Sequence, residues 1–362
     1  MTTLIRPPAA SVDRGSAPQA PEAARAIGAV RARSRRRLML VITIGAATAV
    51  VLALCALLLG AASLTPDRVF AALFGFGDET DRFVVFRLRL PRILAALLVG
   101  IAFALAGAVF QSTLRNPLAS PDILGISAGA SLGAVLALLV LGVGGLLVSL
   151  SAFGGAVLVA LVIWAAAWRQ GLHGIRFVLV GVGLAYVCGS TVAWLLARAD
   201  VREAQTALHW TVGSIADVRG DDLVILGIGV ALVAVGVAVF SRVLAPLSIG
   251  DDHARALGVG VDGARVVLLL LAVALVATAT SVAGPIAFIA LLAPAIARRL
   301  LNDGGAALAA SAVVGAVLTL GADVVGQFAF PGLTAPVGIV TGVIGAPYLL
   351  WLLATTERKS RT

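Results

Sequence analysis

The sequence predicts an all-α membrane protein that crosses the bilayer about ten times. Three observations carry that class. Of the 362 residues, 60% are apolar and only 12% are charged, and the mean hydropathy is +1.06; soluble domains are nearer half apolar and a quarter charged. Eight stretches, 38–66, 93–114, 123–168, 177–197, 223–241, 266–297, 304–322 and 324–356, hold no Asp, Glu, Lys or Arg, and each reaches or exceeds the roughly 20 apolar residues of a spanning helix. The basic residues fall unevenly between these stretches, as the positive-inside rule expects of membrane loops. An ordinary soluble enzyme, a disordered tail protein and a nucleic-acid-binding domain are excluded, although the net charge is +9.

The spans follow in order. Residues 1–37, rich in Arg, Ala and Pro, read as a disordered arm. The first span is 38–62 and the second 91–112. The 123–168 run is too long for one crossing and breaks at Gly142, Val143, Gly144 and Gly145, a hairpin signal. It yields spans 121–142 and 146–168. Spans 175–197 and 221–244 follow. The 266–297 run breaks at Ala283, Gly284 and Pro285 into 264–283 and a short, partly re-entrant 286–300. The last runs join across Asp323 and break at Pro331, Gly332 and Pro336, giving 305–329 and 336–354. Residues 355–362 remain as a tail, and no loop is long enough for a soluble domain.

With the N-terminus inside, 19 of the Lys and Arg residues fall on the cytoplasmic side and 8 outside, so both termini are expected to be cytoplasmic. The positive charge is then chiefly a topology signal. A twin-arginine leader reading of Ser34 to Leu38 fails because the apolar run after it is too long and further spans follow. Cys55 and Cys188 each lie inside an apolar run and suit burial, not a disulfide or thiolate site. His173, His209 and His253 are scattered without metal-ligand spacing, and no phosphate-binding GxxxxGK[ST] loop occurs. No metal site and no cofactor are expected.

The charge rule is broken in the first outer loop, where Arg87, Arg89 and Arg92 precede the second span. They suit either snorkelling to lipid headgroups or a docking patch for acidic side chains, since the guanidinium fork binds carboxylates bidentately. Beyond that span, Asn116-Pro117 and Ser120-Pro121 form a rigid turn. Gly125, Gly129 and Gly133 then lay a small-residue stripe on one face of span three, where helices can approach closely. Between spans six and seven, Asp251 and Asp252 favour the start of a short helix. Ala254 and Leu257 would give it an apolar face and Gly258 would stop it. Asp323 is an intramembrane carboxylate. Proton coupling is one reading; a structural partner, a backbone or hydroxyl group, is preferred.

Together these residues resemble the FecCD family, permease subunits of binding-protein-dependent ABC importers for iron-siderophores, haem and cobalamin. The similarity runs from about Arg89 to Leu353. It is carried by Arg89, Leu90, Pro91 and Arg92; by Asn116 to Ala119 with Pro121 and Gly125 to Ala130; by Gly250, Ala254, Leu257 and Gly258; and by Ala283 to Phe288 with Pro294 and Arg298. Ala322 with Asp323, Pro336 to Ile339, and Gly345 to Pro347 complete it.

The resemblance implies a type II importer permease with ten helices in a bacterial cytoplasmic membrane. Two permease copies, identical or paralogous, would stand over a cytoplasmic ATPase dimer, with a substrate-binding protein docked outside. It implies no catalytic residue in this chain and no nucleic-acid partner; lipid is the other neighbour. Docking falls by position on Arg89 and Arg92, with Arg87 beside them. A third docking arginine of some members is Gln327 here. The ATPase-coupling loop would contain Gly250, Asp251, Ala254, Arg255, Leu257 and Gly258. Span five would line the pathway, with His173, Gly174 and Ile175 near the cytoplasmic gate and Gly181 and Gly183 above. The family often has a histidine after the proline of span eight. Here Ala295 follows Pro294, as in iron-siderophore members, so the expected cargo is a ferric siderophore or related chelate, with haem or cobalamin as the alternative. An ion-driven secondary transporter would need more charged residues inside the spans, and a membrane enzyme would need clustered His, Asp or Glu at one face.

Overall fold

The computed structural model describes residues 20–60, 64–167, 174–302, 305–329 and 333–360. The described chain forms fourteen α-helices and one π-helical turn. Each of the ten expected spans corresponds to one helix: α1 (Ala20–Leu58), α4 (Leu90–Thr113), α5 (Ile126–Leu139), α6 (Leu146–Ala167), α7 (Gly174–Arg198), α9 (Gly220–Ile249), α11 (Val261–Ala283), α12 (Ile289–Leu301), α13 (Leu308–Phe328) and α14 (Val337–Ser360). Seven of the helices are long and apolar enough to cross a membrane unaided. Helices suit this solvent because each satisfies its own backbone polar groups. Short helices α2 (Pro66–Leu73), α3 (Glu79–Phe83), α8 (Val201–Val212) and α10 (Asp251–Ala256) lie between the spans.

Helix α1 departs from expectation. Residues 20–37 are not a disordered arm but the first turns of α1, and the Arg37 guanidinium donates to the Leu301 carbonyl at 3.3 Å. Alanine and arginine are strong helix formers, so the composition that reads as polar and irregular also sustains a helix continuing from an apolar span. Residues 1–19, where the rest of the arm falls, lie outside the described residues.

The breaks form where the chain signals them. Gly142 and Gly145, at φ +64° and +61°, turn α5 into α6, and Gly284 at φ +68° ends α11. Helix α12 has 13 residues, as the short eighth span anticipates, and Pro336 immediately precedes α14. Pro331 and Gly332 are outside the described residues.

Helix α4 is the central post, packed against α13, α11, α12 and α9. Its glycines set the spacing. A Cβ on Gly100 would meet the Gly315 carbonyl of α13, and one on Gly107 the Ala290 backbone of α12, so the backbones touch with no side chain between them. The α5 stripe works the same way. Gly129 faces the Gly155 carbonyl and Gly133 the Ser151 carbonyl of α6, while Gly125, at φ +79°, lies against Gly181 and Ala185 of α7. Phe288 packs so closely against Gly345 that an added Cβ would clash with its ring.

Candidate functional site

Two charged constellations lie at opposite ends of α4. The first is built where a π-helical turn, Val84–Arg89, runs into α4. The wider turn changes the angular step between side chains, and Pro91 starts α4 without needing its missing N–H. Arg87, Arg89, Arg92 and Gln327 line one cleft of about 290 Å³. The structure therefore brings together the four expected docking residues, three on one helix start and one on α13. Asp217 and Arg219, from the loop before α9, line the same cleft; both are exposed.

Inside this cleft Arg92 and Asp323 form an ion pair. Arg92 Nη2 lies 2.8 Å from Asp323 Oδ1, and Nε is 3.1 Å from both oxygens. Gln327 Nε2 donates to Oδ2 at 2.6 Å. The Asp323 side chain is 1% exposed. The expected backbone or hydroxyl partner is thus corrected to a guanidinium and an amide from two helices. A charge buried this deeply requires such compensation. Arg89 donates to the Leu57 carbonyl at the end of α1. Arg87 remains exposed, and among the described residues no carboxylate stands within ion-pair distance of Arg87 or Arg219.

The second constellation surrounds α10. Gly250, at φ +137°, separates α10 from α9, and Gly258, at φ +81°, ends it. Asp251 and Asp252 occupy its first turn as expected. Its apolar side differs from expectation: Ala254 is fully buried and Leu257 is 66% exposed. The two do not share one exposed face, because Ala254 packs inward and only Leu257 is presented outward. Asp251 accepts from Arg265 at 2.7 and 3.1 Å and from Arg115 at 2.8 Å. Partial burial alone would raise its carboxyl, but the Arg265 hydrogen bond and the charges of Arg265, Arg115 and Arg255 hold it below the ordinary carboxylate value. Arg255 reaches Asp252 at 3.3 Å on the surface.

The Asn116-Pro117 turn lies at the same end. The Asn116 Oδ1 accepts from the Leu118 amide at 2.9 Å, and Pro121 offers its carbonyl to the Ile126 amide at 3.3 Å. A second cleft of about 220 Å³ is lined by Gln111, Arg115, Asn116, Pro117, Ser248 and Arg298. Arg298 donates to the Gln111 amide oxygen, and Gln111 donates to the Leu291 carbonyl at 3.2 Å, which ties α12 to α4 one turn beyond Pro294.

Of the expected gate residues, His173 lies outside the described residues, and Gly174 and Ile175 open α7. Gly181 packs against the Leu124 backbone, and Gly183 faces open space. Helix α7 leaves Leu179, Tyr186 and Trp194 exposed. Sequence reasoning missed Arg115, Arg265, Asp217 and Arg219. By residue type alone Arg115 and Arg265 are inner-side charges and Arg219 an outer-side one; Arg115 and Asp251 stand 136 positions apart, so nothing local links them. Among the described residues there is no group of three or more His, Cys, Asp or Glu able to hold a metal ion.

The FecCD transport family model matches residues 47–355. The chain is 39% identical over 324 residues to the ferric enterobactin transport system permease protein FepG of Escherichia coli (strain K12), covering 90% of this chain and 98% of that one. It is 36% identical over 329 residues to the Fe(3+)-citrate import system permease protein YfmE of Bacillus subtilis (strain 168), with coverage of 90% and 98%. It is also 36% identical over 288 residues to the vitamin B12 import system permease protein BtuC of Yersinia enterocolitica, covering 77% and 84%. A solved structure described as an inward-facing conformation of a metal-chelate type ABC transporter superposes with a TM-score of 0.78 at 26% identity, covering 87% of this chain and 98% of that one. The chain belongs to the FecCD transport family, the multi-pass permease subunits of ABC importers, and is a transporter, not an enzyme.

Proposed function

We propose that this permease carries a ferric siderophore across the bacterial cytoplasmic membrane, driven by ATP hydrolysis on a partner. The observation that carries the cargo is the near full-length similarity to permeases named for ferric enterobactin and ferric citrate. The Arg87–Arg92 cleft is the face for the substrate-binding protein, and α10 is the face for the ATPase dimer. The arginine distribution supports a cytoplasmic side for α10 and both termini. The exposed Leu179, Tyr186 and Trp194 of α7 and the open space at Gly183 support a second permease copy against this helix, with the pathway between them and lipid around the rest. ATP-driven approach of the two ATPases moves both α10 helices, and the pathway changes its open side.

Docking at the Arg87 end rests on Arg87 and Arg219, which are both exposed, and less on Arg92, which is already engaged by Asp323. The cargo is tested by growth of a deletion strain on iron held by catecholate, hydroxamate or citrate chelators, with vitamin B12 uptake measured alongside. Loss of growth on at least one ferric chelator, restored by the gene, supports the reading. Unimpaired use of all of them, with lost B12 uptake, would replace it by cobalamin import.

A further inference from the structure

Helix α4 has an ion pair at each end, one in each charged constellation. Its 24 residues span about 36 Å at 1.5 Å per residue. At its start Arg92 grips Asp323 of α13. Just past its end, Arg115 grips Asp251 of α10, and the same carboxylate takes two hydrogen bonds from Arg265 of α11. One side chain therefore joins α4, α10 and α11. The hinges support a moving part: Gly250 and Gly258, both in backbone conformations that favour glycine, bracket α10. The body of α4 is poorly suited to bending, because its backbone lies directly against those of α13 and α12 at Gly100 and Gly107. Packed elements of this kind shift as units.

We propose that Arg115 and Asp251 are positioning residues that transmit movement of α10 to α4 and so connect it to the Arg92 cleft at the far end. The inference rests on the assignment of α10 to the ATPase and of the Arg92 cleft to the binding protein. Its consequence is that the response of ATP hydrolysis to docking depends on the Arg115–Asp251 contact. The Arg115–Asp251 pair is partly exposed, at 43% and 26%, and pairs of that kind add little to stability. Its removal should therefore show in coupling before it shows in folding.

The test uses the assembled transporter, permease with its partner ATPase in lipid nanodiscs, with ATP hydrolysis measured with and without the binding protein. In Arg115→Gln, basal hydrolysis, ATPase co-purification and binding-protein affinity should stay near wild type. Stimulation by the binding protein should fall about fivefold or more, and Arg115→Lys should recover part of it. Full stimulation in Arg115→Gln would overturn the proposal. So would a parallel loss of basal activity and ATPase association, which would make the network a structural brace only. If the wild-type permease neither retains an ATPase nor binds the binding protein, the functional assignment itself fails, and the inference with it.

Discussion

At one end of α4, Arg92 meets an aspartate whose side chain is 1% exposed. At the other, Arg115 at 43% exposure meets Asp251 at 26%. The pair of functional groups is the same, and the Nη2 to Oδ1 distance is 2.8 Å in both. What differs is the surroundings. Asp323 has no water to return to, so removing its partner leaves a charge stranded in a low-dielectric interior. Asp251 borders solvent and has Arg265 as a second partner, so its pairing with Arg115 can loosen at little cost. The first pair is suited to lock α4 to α13. The second is suited to hold a lever that must move.

The comparison can be broken at several points. The largest effect is expected at Asp323. Arg92→Ala strands the Asp323 carboxylate and should destabilise the permease by about 3–5 kcal/mol, read as lost folded protein and a lower Tm in detergent. The double variant Arg92→Gln with Asp323→Asn leaves no buried charge and should recover much of this; equal losses in both would show that the ion pair is not a lock. Next is Gly100→Val, whose added carbons meet the Gly315 backbone and should cost about 1–3 kcal/mol or more by overpacking, measured by the same melt. Arg87→Glu with Arg219→Glu should weaken binding-protein association about tenfold or more while leaving ATPase assembly intact. Unchanged association would move docking elsewhere on the surface.

Smaller still in stability, but not in function, is Leu257→Asp. An exposed position should change the melt by no more than about 0.5 kcal/mol, yet uptake should become uncoupled from ATP hydrolysis if Leu257 seats against the ATPase. Arg255→Ala removes a pair that is 54% and 98% exposed. It should change stability by no more than about 1 kcal/mol, read in the same melt.

Much of the fold is legible in the chain because bilayer-spanning helices need long uncharged runs, and the breaks carry glycine or proline. The start of α1 was not legible: an arginine-rich alanine stretch suits disorder and helix alike, and the continuing span decides the matter. The candidate site was legible as residue types but not as pairings. Arg92 and Asp323 stand 231 positions apart, and nothing local in either sequence names the other. Ala254 and Leu257 show the same limit at short range. Their spacing marks a helix, but which of them turns inward depends on helices α9 and α11, against which α10 packs.

The central claim is that this chain is a conduit energised from outside itself. The most direct measurement is uptake of iron-labelled siderophore into proteoliposomes that hold the permease and its ATPase, with the binding protein outside and ATP enclosed. The account predicts uptake that requires hydrolysable ATP and the binding protein and that is indifferent to proton and sodium gradients. Uptake that continues without ATP and follows an imposed ion gradient would contradict it.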